Sequence, residues 1–268
     1  MTDGPDGLIP APQKVAAALA QVAPGGLLDH QKLEPLVDSA NVGPVVWNAL
    51  LARIEAAPGA VIVTHGTDTM AFSGAALDAA RVGQGRCVVL TGSMHPLGAA
   101  GSDAEGNLKR AIETAIAAEP GVWLAFGGQV LPGGAVSKQH SQDEIAFVQA
   151  GGLTPPPAVA PRFDLSKTVG IVTLTPGLSP RALAAQLDAL DGAVLRVFGA
   201  GTMPDALVET LGHFKGKPMV AVSQCLAGGL EAGAYAAGAG LWAAGVENGG
   251  QISPEQALTR LHLRLSAP

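Results

Sequence analysis

Six short runs dominated by β-branched and aliphatic residues recur along the chain, separated by longer Ala- and Leu-rich segments, and this alternation constrains the fold more than any other feature. The runs lie at 60–64 (AVIVT), 87–91 (CVVLT), 122–126 (VWLAF), 169–174 (VGIVTL), 193–197 (AVLRV) and 219–223 (MVAVS). Several are apolar on both faces, as strands buried within a parallel sheet should be. The segments between them predict helices over 13–22, 45–56, 70–81, 104–118, 181–190 and 204–214. Short strands alternating with helices define an α/β chain, and short joining loops favour doubly wound, mainly parallel sheets with right-handed crossovers. The last helix carries the clearest start signal: Ser253 at the N-cap, Pro254 after it and Gln256 completing a Ser-x-x-Gln capping box, with an expected end near Leu265.

The rhythm breaks once. The stretch GGLTPPPAVAP over 151–161 has no apolar period and is dense in Pro and Gly, which reads as a linker. The expected organisation is therefore a larger N-terminal α/β domain over 1–150, a linker over 151–168 and a smaller α/β domain over 169–268.

Composition narrows the function classes. With 16 Lys and Arg against 22 Asp and Glu, the net charge is −6, which supplies no basic surface for nucleic acid. A hydrophobic share of 48% against 14% charged residues is enough for a substantial core and argues against disorder. The mean hydropathy of +0.31 raises a membrane reading, but the long uncharged stretches at 120–137 and 232–246 are interrupted by Gly and Pro or made mostly of Ala and Gly, and neither suits a spanning helix. The N-terminal residues lack a basic segment followed by an apolar one, and two cysteines cannot build a disulfide framework or a cysteine zinc cage. The expectation is a soluble cytoplasmic protein without membrane or nucleic-acid partners.

In an open α/β sheet the residues after each strand face the ligand crevice. After the run at 60–64 comes His65-Gly66-Thr67-Asp68-Thr69, with hydroxyls, an imidazole and a carboxylate in one turn. On spacing alone, Thr67 and Asp68 read better as caps of the following helix than as catalytic groups. After 87–91 comes Gly92-Ser93-Met94-His95-Pro96, then a segment in which Ser102 or Asp103 could cap the helix near Ala104. His65 and His95 have no metal-ligand spacing and read as surface or supporting histidines. Lys138, alone in GGAVSKQHSQD, could activate a hydroxyl if folded into the crevice, with Asp68 holding its charge.

Five segments together carry a resemblance: VIVTHGTDTMAFSGAALD at 61–78, VVLTGSMHPLGAAGSDAEGNL at 88–108, VLPGGAVSKQHSQDEIAF at 130–147, SQCLAGGLEAGAY at 223–235 and AAGVENGGQISPEQALTRL at 243–261. The chain resembles the L-asparaginase family of Thr-dependent amidohydrolases, and its cytoplasmic branch in the C-terminal part. The resemblance implies two α/β domains, no cofactor, and hydrolysis of asparagine's side-chain amide to aspartate and ammonia through an acyl-enzyme. It also implies a homodimer or homotetramer with sites completed between subunits. Thr67, Asp68 and Lys138 match the family's catalytic triad, with Asp68 also receiving the substrate's α-amino group. Ser39 matches the serine for the α-carboxylate, and Ser93 the position whose backbone lines the amide pocket.

The chain also departs from the family pattern. A first strand ending in Thr-Gly-Gly-Thr-Ile, whose first Thr is usually the nucleophile, is absent from the sequence; Met1–Gly4 resembles the loop that follows that strand, so the missing element is expected upstream of Met1. Ala40 replaces the usual Gln, no Tyr precedes Tyr235, Thr202 stands where some members place a cross-subunit Asn, and Glu231 is a candidate for a cross-subunit Glu. Two other functions compete: a non-catalytic amino-acid-binding or regulatory homologue on the same scaffold, and a tRNA-dependent amidotransferase subunit, which the acidic balance disfavours.

Overall fold

The computed structural model describes residues 2–4, 7–9, 12–22, 29–154, 161–231, 233 and 238–267. Tyr235, Met1 and most of the Pro-rich stretch, 155–160, lie outside the described residues. The chain divides into two compact units, Met1–Gln149 and Ala150–Pro268.

The first unit opens with β1 (Thr2–Gly4) paired antiparallel to β2 (Gly7–Ile9), where the sequence suggested a loop. There follow α1 (Pro12–Val22), a one-turn 3-10 helix (Ser39–Asn41), α2 (Pro44–Ala56), β3 (Val61–Thr64), α3 (Met70–Ala79), β4 (Cys87–Thr91), α4 (Ala104–Ala117), β5 (Gly121–Phe126), β6 (Gln129–Pro132), a second 3-10 turn (Gly133–Ala135), β7 (Val136–Lys138) and β8 (Phe147–Gln149). The main sheet runs β3-β4-β5-β6, with the first three strands parallel and β6 antiparallel. Every residue of β4 is buried. Its side chains alternate between the faces, and Cys87 and Val89 meet Ala111 of α4 and Ala125 of β5 on one of them. The antiparallel pair β7-β8 stands apart from this sheet.

The second unit contains β9 (Val169–Thr173), α5 (Pro180–Asp188), β10 (Gly192–Val197), α6 (Asp205–Gly212), β11 (Met219–Ser223), α7 (Ala239–Ala243), β12 (Glu247–Asn248) and α8 (Pro254–Leu265). Its sheet, β12-β11-β10-β9, is parallel throughout. Ala193, Leu195 and Val197 join Leu183, Leu187, Leu207 and Leu211 of α5 and α6 in one cluster, while Val194, Val220 and Val222 meet Ala257 and Leu261 of α8 in another. Alternate residues of one strand thus serve two helix layers, as a doubly wound sheet requires. The capping box forms as expected: Gln256 N donates to Ser253 Oγ at 3.2 Å and Ser253 N to Gln256 Oε1 at 2.9 Å. The Gly pair opening the expected linker belongs structurally to the second unit, since Gly152 N donates to Gln251 O and Gln256 Nε2 to Gly152 O.

A threonine, a carboxylate and a lysine at the end of the first sheet

Thr67 and Asp68 occupy the turn between β3 and α3. The capping expectation for them is overturned: α3 starts at Met70 with Thr69 in the N-cap position and no side-chain capping bond. Both residues turn to Lys138 instead. The lysine Nζ donates to Thr67 Oγ1 at 2.9 Å and to Asp68 Oδ1 at 2.9 Å, across 71 and 70 positions of sequence, a separation over which local patterning carries no information.

The meeting depends on a close approach between backbones. Gly74 of α3 faces the carbonyl of Gly133, and a Cβ built there would overlap that oxygen. Gly134 likewise lies against Asp78 of α3. The turn Gly133–Ala135 can therefore press onto α3, and β7, which begins at Val136, delivers Lys138 beside the turn that precedes the helix. Lys138 is mostly enclosed, with 19% of its side chain exposed, whereas Asp68 is 65% exposed. One carboxylate oxygen is engaged by the lysine and the group remains open to a ligand.

Ser39 is brought to the same place. Its side chain lies against the backbone of Gly66, and Thr69 Oγ1 donates to its carbonyl at 2.6 Å. Asp38 stabilises the 3-10 turn by accepting from Ala40 N. Ser93 makes no direct bond to Thr67, Asp68 or Lys138, but its neighbour Gly92 packs on the His65 carbonyl, which sets the β4 loop beside the β3 turn.

His65, read from sequence as a surface or supporting residue, supports the turn from behind. Its Nδ1 lies 2.6 Å from Gly66 O and its Nε2 2.8 Å from Ser73 Oγ, which also accepts from Trp47 Nε1 at 3.1 Å. Burial pushes the ring below its ordinary value of 6.5, while the Gly66 carbonyl pulls the other way. Around Ser93, Asp103 does not cap α4 with its side chain but accepts from Met94 N and His95 N, whereas Ser102 Oγ accepts from Ala104 N at 3.2 Å. Among the described residues no group of three or more His, Cys, Asp or Glu could hold a metal ion, and no helix is long and apolar enough to cross a membrane. The sequence reading missed Ser73, Trp47 and Asn107; of these only Asn107 leaves a local trace, as a polar residue one helical turn after Asp103 at the start of α4.

Residues 7–159 match the family described as "Asparaginase, N-terminal", and residues 168–268 match "Glutaminase/Asparaginase C-terminal domain". The chain belongs to the asparaginase family. It is 34% identical over 250 residues to an L-asparaginase of Thermococcus kodakarensis, covering 84% of this chain and 76% of that protein. Against L-asparaginase 1 of Escherichia coli K12 the identity is 32% over 260 residues, covering 87% and 77%. The crystal structure of L-asparaginase I from Vibrio cholerae is similar in fold, with a TM-score of 0.83 and 27% identity over 98% of this chain and 89% of that one.

Proposed function

We propose that this protein hydrolyses the side-chain amide of L-asparagine to L-aspartate and ammonia, with Thr67, Asp68 and Lys138 as the catalytic group. Membership of the asparaginase family makes it an amidohydrolase of asparaginase type. The observation that supports these particular residues is the Lys138 ammonium, 2.9 Å from both the Thr67 hydroxyl and the Asp68 carboxylate. A cation donating to a hydroxyl oxygen favours the alkoxide that forms as the proton leaves, which is what a threonine needs to act on an amide.

In this reading a threonine oxygen bonds to the amide carbon, Thr67, Asp68 and Lys138 being the half of the machinery that works beside the family's first Thr; the hydroxyl proton passes to the departing nitrogen, the C–N bond breaks and ammonia leaves. Water then adds to the ester, releasing aspartate and restoring the hydroxyl. Asp68 accepts from the substrate's α-ammonium with the carboxylate surface that Lys138 leaves open. Ser39 meets the α-carboxylate, and the backbone at Ser93 meets the side-chain amide. A cytoplasmic location, with Cys87 and Cys225 both free thiols, and an even-numbered homo-oligomer complete the proposal.

Ammonia release from L-asparagine tests it. Lys138→Met and Thr67→Val should each lower kcat by about 100-fold or more, the scale of losing a proton-transfer or nucleophile-activating group. A folded wild-type protein that releases no ammonia, or variants that retain full kcat, would overturn the assignment.

A further inference from the structure

The loop after β4 is held by two side chains from the start of α4. Asn107, 3% exposed, uses its whole amide: Nδ2 donates to Gly92 O at 3.0 Å and to Asp103 Oδ2 at 2.9 Å, and Oδ1 accepts from Gly127 N at 3.0 Å. Because Gly127 N–H can only donate, it fixes which end of the amide faces it. Asp103 in turn accepts from Met94 N at 3.1 Å and 3.0 Å on its two oxygens, and from His95 N at 3.0 Å.

These bonds fall on the two peptide groups that flank Ser93. The Gly92–Ser93 peptide is held by its oxygen and the Ser93–Met94 peptide by its nitrogen. A trans peptide is planar, with its C=O and N–H pointing opposite ways. Holding Gly92 O against Asn107 therefore aims Ser93 N–H away from α4, and holding Met94 N against Asp103 aims Ser93 C=O away from it as well. The result is one fixed donor and one fixed acceptor on a single residue. A primary carboxamide presents the complement, an acceptor oxygen and a donor NH2, whereas a carboxylate presents two acceptors and meets the Ser93 carbonyl with repulsion.

We propose that Asp103 and Asn107 are positioning residues that orient the Ser93 backbone to favour the amide substrate over its carboxylate product. The inference rests on the proposed function, and in particular on Ser93 meeting the substrate's side-chain amide. Preorganised backbone groups of this kind act only when held to a fraction of an ångström, and a displacement of about 1 Å can cost about 100-fold.

The test compares wild type with Asn107→Asp, which keeps the shape but loses both donors and sets a second carboxylate against Asp103; Asp103→Asn serves if the first variant does not fold. Steady-state KM for L-asparagine and Ki for L-aspartate are measured together with amide hydrogen exchange of the segment 88–97. The expected result is faster exchange confined to that segment and a ratio of KM to Ki raised about tenfold, with kcat lowered about 10- to 100-fold. Unchanged exchange, or KM and Ki moving together, would overturn the proposal, since a merely structural role weakens both ligands alike. A wild-type protein without ammonia release fails the proposed function instead, and the exchange comparison then decides on its own whether Asn107 holds the loop.

Discussion

His65 Nε2 accepts the hydroxyl proton of Ser73 across 2.8 Å, and the surrounding bonds leave no other arrangement for a neutral ring. The Gly66 carbonyl, 2.6 Å from Nδ1, cannot donate, so Nδ1 carries the hydrogen and Nε2 is the acceptor. Ser73, already accepting from Trp47 Nε1, supplies its one proton to the ring. The chain from indole to carbonyl thereby orients the peptide that leads into Thr67.

This arrangement sets a pH dependence of stability. Burial holds the folded-state value of His65 below 6.5, so the unfolded chain takes up the proton first as pH falls. The stability is fully present above pH 6.5 and declines as pH drops from there through the lower folded value, by at most about 1.4 kcal/mol per pH unit for one proton. Urea midpoints between pH 8 and pH 5 should fall more steeply for the wild type than for His65→Gln. Equal slopes would show that the ring is not the titrating group.

The approach of Gly74 to the Gly133 carbonyl yields a second prediction. Alanine is ordinarily the better helix former by about 1 kcal/mol, and Gly106→Ala in α4, where an added Cβ meets nothing within 4 Å, should be neutral or mildly stabilising. Gly74→Ala should instead destabilise by about 1–3 kcal/mol, the scale of overpacking a close contact. It should also lower kcat, because the turn it displaces leads within five residues to Lys138. Thermal melts and ammonia release on the two variants check both halves.

The strands β3, β4, β5, β9, β10 and β11 are legible because each is a mainly apolar run that stands out by itself, whereas β12, the exposed pair Glu247–Asn248, is not; the α8 start is legible because its capping box is local. The strands β6, β7 and β8 are not legible either. QVLP, VSK and FVQ are three or four residues long, too short for a period, and only their tertiary partners make them strands. Thr67 and Asp68 were misread as caps for a related reason: helix-entry chemistry is written in adjacent residues, whereas the lysine that claims them arrives from 70 positions away. The positions of these residues were recoverable by resemblance and not by spacing. Asn107 shows only its spacing from Asp103, since one polar residue on a helix reveals its partners only once the ends of β4 and β5 are assembled around it.

The assembly part of the proposed function is checked by light scattering. Leu226, in the loop after β11, is 57% exposed, and Thr202 and Glu231 lie in neighbouring segments, with Glu231 N donating to Ala200 O. Covering such a surface with a second copy gives a dimer or tetramer mass at micromolar protein, and Leu226→Glu should shift that mass towards the monomer. A monomeric mass for the folded wild type would refute the oligomer.

Gly66 tests the place assigned to Ser39. A Cβ on Gly66 would sit 2.5 Å from Ser39 Oγ and 2.7 Å from Ser39 Cβ. Neither backbone can simply retreat, because the Gly66 carbonyl is tied to His65 and the Ser39 carbonyl to Thr69. Gly66→Ala must therefore push the Ser39 hydroxyl from its seat. If that hydroxyl meets the substrate α-carboxylate, KM for L-asparagine rises about 10- to 100-fold, the equivalent of a hydrogen bond to a charged group worth about 1.5–3 kcal/mol. kcat should change less, since the lost contact is remote from the amide. Adding Ser39→Gly to Gly66→Ala removes the steric conflict, so the double variant should regain melting temperature without regaining KM. Ser39→Ala alone should raise KM by a similar factor; a KM equal to that of the wild type would remove Ser39 from the binding site while leaving the Thr67–Lys138 pair untouched.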